Sequence, residues 1–350
     1  MTRPVPTESQ EAANRVRWSP AMKAFYEVSY VQWWDAPNRI GGWVRYMLFS
    51  SHARRRAEAA VWGGFISLDD PSRTFTVKQV HPIASAQVSQ RPFRLQIGSS
   101  SVESGAARGS IGQGPTAVSW DVAFDKPGME IAHLPAPLRN LPFPPTKFVS
   151  GFCGGRLSGH LDVAGRRYEV ADAPAVQSHF WGPKNVVGWS WGHCSSFRED
   201  PDFVFDGVVA VDKLAGITMK PLCIFFFRMD GVTYACNGML DAMARNTAQR
   251  GIEGWTFTAS SGDLVFRGEA VARPEEMNLW LHEDPDGELR QAHLTVTADY
   301  RIDVLRKTAG GLQPVRTLTS PRSGIYEITL PAADHRVAHR HPTHLLQAGA

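Results

Sequence analysis

Eleven residues in the middle of the chain, Val187 to Phe197 (VGWSWGHCSSF), restrict the fold more than any other stretch. Large and small side chains alternate there with a period of two, which an extended strand turns into two unlike faces. Val187, Trp189, Trp191, His193, Ser195 and Phe197 share one face; Gly188, Ser190, Gly192, Cys194 and Ser196 share the other. The first suits the wall of an apolar cavity with a polar end. The second is nearly bare and lets another element pack close. His179 and Trp181 lie on the turn that leads into it.

The same period recurs along most of the chain. FYEVSYVQWW and WVRYMLFS read as a hairpin whose strands are apolar on both faces and therefore central; AAVWGGFISL, RTFTVKQV, PFRLQIG and AVSWDVAF continue as a meander. Asp121, in the last of these, sits on the solvated face of a half-exposed strand. Asp230-Gly231 and Ala164-Gly165 mark tight hairpin turns. With 11 Trp, 18 Phe, 31 Gly and 24 Pro and hardly any helical period, the chain is expected to be all-β, built as sandwiches or barrels. Its 350 residues suggest two domains. The proline-rich stretch LPAPLRNLPFPPTK, residues 134–147, cannot continue a sheet and reads as a stiff connector. The expected division is therefore 19–147 and 148–337, two antiparallel β units in sequence, with residues 1–18 loosely ordered.

Several function classes drop out. A net charge of +3 and the absence of a basic stripe interleaved with aromatics argue against nucleic acid, and Arg54-Arg55-Arg56 reads as a solvated loop. There is no Gly-rich phosphate loop and no strand–helix alternation, so a nucleotide-binding fold is not expected. Cys153, Cys194, Cys223 and Cys236 show neither C-x-x-C nor zinc-finger spacing and read as reduced, buried residues. No apolar segment reaches the length of a membrane span and the N-terminus has no apolar leader core, which points to a cytoplasmic protein. His335, His339, His341 and His344 belong to a polar tail expected to be frayed.

YEVSY with W-V-R-Y in the first half, G-A-A-R-G at Gly105 to Gly109, and H-F-W-G at His179 to Gly182 followed by G-W-S-W-G-H-C together resemble the AttH/CrtC-like superfamily. That group contains carotenoid 1,2-hydratases (hydroxyneurosporene synthases) and relatives of tocopherol cyclase. The resemblance implies two tandem lipocalin-like β-barrels with an apolar pocket near their junction, and proton-initiated hydration or cyclisation of isoprenoid, polyene or polyketide-derived substrates. It also implies that His179, Trp181, Trp189 and Trp191 line the shared site. Relatives often carry aspartate between the two tryptophans, where this chain has Ser190.

Such chemistry needs a proton donor, a dry pocket and aromatic faces that stabilise positive charge. Trp181, Trp189 and Trp191 can supply the last two, with Trp43 as a further wall residue. Asp206, in FVFDGVVA, is either a carboxylate kept protonated by desolvation or an outward-pointing residue at a bend. Glu27 is a second acid unless Arg45 neutralises it; a cross-strand Glu27–Arg45 ion pair and a substrate-facing role are both open. His179 and His193 are general acid–base candidates or satisfied structural histidines. Ser195 shares the face of His193, but no nucleophile elbow surrounds it, so it reads as pocket lining. No third ligand at useful spacing suggests a metal site, and no motif suggests a cofactor. Two functions fit: a cofactor-independent cyclase, isomerase or hydro-lyase acting on a hydrophobic small molecule, or a carrier that only holds such a ligand.

Overall fold

The computed structural model describes residues 4–139, 141–142, 144–214, 217–338 and 343–347. Among these residues the chain forms a thirteen-stranded sheet, a ten-stranded sheet and a two-stranded ribbon. Each large sheet curls around its own apolar core, which gives two tandem lipocalin-like barrels as expected for an all-β chain. No described helix is long and apolar enough to cross a membrane.

The first hairpin pairs Phe25–Asp35 with Ile40–Ser51, and nearly every residue in both strands is buried. Central strands must place apolar groups on both faces, and period two sorts them. Val31, Trp33, Val44, Tyr46 and Leu48 fill the first barrel, whereas Tyr26, Val28, Tyr30, Trp43 and Met47 point outward into a third core between the sheets. Trp191, Trp280, Leu294, Val296 and Ile325 of the second sheet meet them there. The rings of Trp43 and Trp280 lie 5.0 Å apart across this junction. The bare face of the Gly188–Cys194 strand turns into the second barrel. A Cβ on Gly192 would come within 2.3 Å of the Tyr300 hydroxyl and 2.5 Å of the Trp255 ring, so only glycine admits this approach.

Both sequence-predicted tight turns are present, with Ala164-Gly165 and Asp230-Gly231 each at positive φ. The proline-rich stretch does not mark the change of sheet. The strands after it, Lys147–Val163 and Arg166–Gly182, pair with Val118–Lys126 and Phe25–Asp35 and complete the first sheet. The chain passes to the second sheet between Gly182 and Gly188. Their alternating apolar residues have a vacant sheet edge beside Phe25–Asp35 to satisfy, which no local signal reveals. The N-terminal segment is likewise tied down. Residues Glu8–Asn14 form a helix capped by Thr7, and Gln10 donates to the Gly151 carbonyl at 3.1 Å. At the other end Thr343–Gln347 adds a parallel edge strand to Phe75–Pro82, with the His344 ring edge-on to Phe75; His339 and His341 lie outside the described residues.

Candidate active site

Two adjacent strands of the second sheet, Gly188–Cys194 and Val204–Val211, present their large-residue faces to the junction. The register sets His193 opposite Asp206 and Trp191 opposite Val208. Phe205 and Val209 go into the second barrel, so Asp206, Val208 and Ala210 must face the other way. Asp206 is thus fully buried between the barrels rather than at a solvated bend.

Four donors converge on it. His133 Nε2 donates to Oδ1 at 2.7 Å, His193 Nδ1 to Oδ2 at 3.1 Å, Trp191 Nε1 reaches both oxygens at 3.3 and 3.4 Å, and the Cys153 thiol points to Oδ2 at 3.9 Å. Burial alone would push the Asp206 pKa up; the hydrogen bonds from His133 and His193 outweigh it and hold the carboxyl below its usual range. The expectation of a protonated Asp206 is therefore corrected, because burial comes with partners. Burial and the neighbouring Asp206 charge push the Cys153 thiol well up, which keeps it neutral. Cys153 also brings a third potential ligand within 4.8 Å of His193 and Asp206, a grouping that sequence spacing does not reveal.

His133 joins this cluster from the first sheet's side. It follows the short strand Met129–Ala132, its ring stacks on Phe148 at 3.9 Å and 7°, and its Nδ1 lies 3.3 Å from the Phe148 carbonyl. His133 and Trp191 both line an apolar cavity of about 100 Å³ between the barrels. Tyr30, Phe148, Phe180 and Trp189 supply most of its aromatic wall. On that wall Arg45 donates to Glu327 Oε2 at 2.8 Å, and Trp189 Nε1 donates to Glu327 Oε1 at 2.8 Å. The Arg45 guanidinium lies over Trp280 (4.3 Å), Trp43 (4.7 Å) and Tyr30 (5.3 Å). Leu134, Pro144, Val186, Ala210, Leu222 and Ile224 are shared with an outer, largely apolar cavity of about 460 Å³, which abuts the inner one.

The sequence-derived candidates separate by strand parity. Trp189, Trp191 and Arg45 line the inner cavity, and His193 and Asp206 stand behind it. Trp43 backs Arg45 from beneath. His179 and Trp181 are elsewhere. On the Arg166–Gly182 strand Phe180 takes the cavity side, so its neighbours 179 and 181 face the first barrel. Both nitrogens of His179 are engaged, Nδ1 by the Ala13 carbonyl and Nε2 by Glu27 Oε1, each at 2.7 Å. Glu27 also accepts the backbone N–H groups of Arg17 (2.7 Å) and Trp18 (2.5 Å). The expected Glu27–Arg45 pair does not form, because the two side chains leave their hairpin on opposite faces. Ser195 is buried away from the cavity, and its hydroxyl has no partner among the described residues. Ser190 faces the second barrel beside Arg250, and not the cavity.

Sequence reasoning missed His133, Tyr30 and Glu327. For His133 there was a signal: Met129, Ile131 and His133 share one strand face, and the first two are apolar. Nothing local pointed to Asp206 as its partner, 73 residues away.

No curated protein sequence matches the chain. Among solved structures, a putative AttH from Nitrosomonas europaea is similar over 95% of this chain and 100% of its own, with TM-score 0.55 at 11% identity. CghA with Sch210972 is similar over 88% of each chain (TM-score 0.53, 9% identity), and kievitone hydratase from Nectria haematococca over 88% of this chain and 90% of its own (TM-score 0.51, 12% identity). At such identities these likenesses establish a shared fold. The sequence profile of the tocopherol cyclase-like family matches residues 134–328, a span that holds Trp189, Trp191, His193, Asp206 and Glu327 and more than half of the molecule. The chain belongs to the tocopherol cyclase-like family.

Proposed function

We propose that this protein is a cofactor-independent enzyme that takes a largely apolar isoprenoid, polyene or polyketide-like substrate into the junction cavity and cyclises, isomerises or hydrates it by proton transfer. One observation carries the reading: an imidazole on the wall of an apolar cavity, His133, is hydrogen-bonded to a fully buried, ionised carboxylate, Asp206. Each ring nitrogen of His133 has an oxygen within hydrogen-bond distance, Asp206 Oδ1 at Nε2 and the Phe148 carbonyl at Nδ1, and that carbonyl also accepts the His133 backbone N–H at 3.2 Å. In the reaction proposed here the imidazole passes one proton to the substrate and recovers it. His193, Trp191 and Cys153 hold the carboxylate in place as the proton leaves and returns.

A histidine is a weak acid catalyst. It is mismatched to an isolated alkene and suited to a double bond conjugated with a carbonyl, an aromatic ring or further double bonds, whose protonated form is delocalised. The faces of Trp189, Trp191 and Tyr30 can stabilise that developing charge on a largely apolar wall. Capture by a hydroxyl of the same molecule gives a ring, capture by water gives a hydrated product, and loss of a different proton gives an isomer. The inner chamber takes the reacting end and the outer one the chain. That the fold also houses a hydratase of kievitone is consistent with water addition in such a cavity.

A carrier would be served by a wholly apolar cavity, whereas here His133, Glu327, Arg45 and Asn185 occupy its wall. Incubation with a panel of conjugated isoprenoids and enones in D2O separates the two readings. Recovered ligand gains carbon-bound deuterium with the wild type and none with His133→Gln. Binding without label by the wild type makes the protein a carrier.

A further inference from the structure

We propose that the mouth of the outer cavity docks on an anionic lipid surface and draws its apolar cargo from there. The argument begins with exposed apolar side chains that burial in the protein does not explain. Leu141, Met239 and Met243 line the outer cavity and are exposed at its rim. Leu240 (59% exposed) adjoins them, and Ile217 (74%) stands two residues from Met219 of the lining. They come from three separate segments: the proline-rich stretch and the turn around Asp241–Arg245, which line the cavity, and the paired strands Lys213–Leu214 and Ile217–Thr218, whose flanking residues Asp212 and Met219 line it. Large apolar groups gathered at one place on a surface mark an interaction site.

Charge selects the partner. Lys220 lines the outer cavity itself, Arg139 and Lys213 are exposed beside the lining residues Leu138 and Asp212, and none of the three has an ion-pair partner among the described residues. Of the acidic groups at the rim, Asp241 pairs with Arg245 at 3.1 Å, and Asp212, which accepts the backbone N–H of Lys213 and keeps its charge, is outnumbered by the three cations. Apolar tips ringed by unpaired cations match the interface of an anionic bilayer, where tips bury in the acyl boundary and cations meet the headgroups. A second copy of this chain would bring the same three cations against them. The outer cavity abuts the chamber lined by His133 and shares six wall residues with it, so cargo taken up at the rim arrives beside that chamber. The cargo rests on the function proposed above, but the docking does not.

The test is vesicle sedimentation of the full chain with liposomes of phosphatidylcholine alone or with phosphatidylglycerol at about one lipid in three. The wild type is expected to bind the anionic vesicles and to release as salt rises. Lys213→Glu with Lys220→Glu should weaken binding by about fivefold per cation or more. Leu240→Glu and Ile217→Glu, neither in the cavity lining, should abolish vesicle binding while ligand presented in detergent is still labelled in D2O. Wild-type protein that stays in the supernatant overturns the proposal, as does binding indifferent to all four substitutions. Self-association in sedimentation velocity that Leu240→Glu abolishes, without vesicle binding, assigns the rim to a second copy and overturns it too. Loss of labelling in every protein with vesicle binding intact would remove the proposed chemistry and leave the docking standing.

Discussion

The molecule contains the same buried arrangement twice. His179 and His133 each direct one ring nitrogen to a backbone carbonyl and Nε2 to a carboxylate at 2.7 Å, and each ring lies against an aromatic side chain. Their surroundings differ. The carboxylate beside His179, Glu27, is bound by two backbone N–H groups of the N-terminal segment, which seals the pair inside the first barrel's wall. The carboxylate beside His133 is held by side chains, and the imidazole stands on a cavity wall. Equal hydrogen bonding thus serves two ends. One pair pins the N-terminal segment to the sheet, and the other stands at a cavity wall, where the proposed function puts the substrate.

The comparison breaks most visibly in activity. His133→Gln should lower deuterium incorporation by about 10²- to 10⁴-fold, the range for a lost general acid–base, with ligand affinity by tryptophan fluorescence changed little. His179→Gln should leave labelling per folded molecule intact. If both variants label alike, the two pairs are not functionally distinct.

Stability should show the reverse bias. Glu27→Ala takes the acceptor from the backbone N–H groups of Arg17 and Trp18 and the partner from His179 Nε2, and is expected to cost about 1–3 kcal/mol or more in urea denaturation. A cost below about 1 kcal/mol would mean that Glu27 is not the clamp the geometry describes.

Acid sharpens the contrast further. Asp206 is depressed in the folded state, so its stabilisation is complete above the ordinary carboxylate pKa and is lost as pH falls through the lower folded value. Stability curves of the wild type and Asp206→Asn should converge only in strong acid. Asp284, buried with His282, Asn185 and Arg290, gives the same sign with a measurable midpoint. Burial opposes its ionisation, but hydrogen bonding and charge from His282, with help from Asn185 and Arg290, bring it down to about 2. It should contribute about 2 kcal/mol above pH ~5 that fades toward pH ~2, and Asp284→Asn should flatten that limb.

The smallest effect belongs to the indole N–H at 3.3 and 3.4 Å from Asp206. Trp191→Phe keeps the aromatic wall and removes a long hydrogen bond, so labelling should fall by less than about tenfold. A loss as large as that of His133→Gln would move the proton-handling role toward Trp191 and Asp206.

Much of this was legible from residue patterns. Trp189 and Trp191, which the alternation in VGWSWGHCSSF sets on one face, line the junction cavity, and Gly192 on the other face packs close to Tyr300 and Trp255. The reading failed at HFWG, where the aromatic cluster drew attention to positions 179 and 181, while strand parity puts Phe180 on the cavity. One position along a strand exchanges faces, and a motif does not say which face is inward. Asp206 drew notice as a charge in an apolar strand, but its protonation was misjudged because its principal partner lies in a distant segment.

Local physics determined the strands, their two faces and the tight turns, since these follow from backbone sterics and from the neighbours each residue has in the chain. Which sheet received residues 147–182, which histidine met Asp206, and that a hollow remained between two filled barrels were decided by tertiary packing. Those outcomes depend on contacts between segments separated by tens to hundreds of residues, and an apolar side chain carries no mark of the partner against which it will be buried.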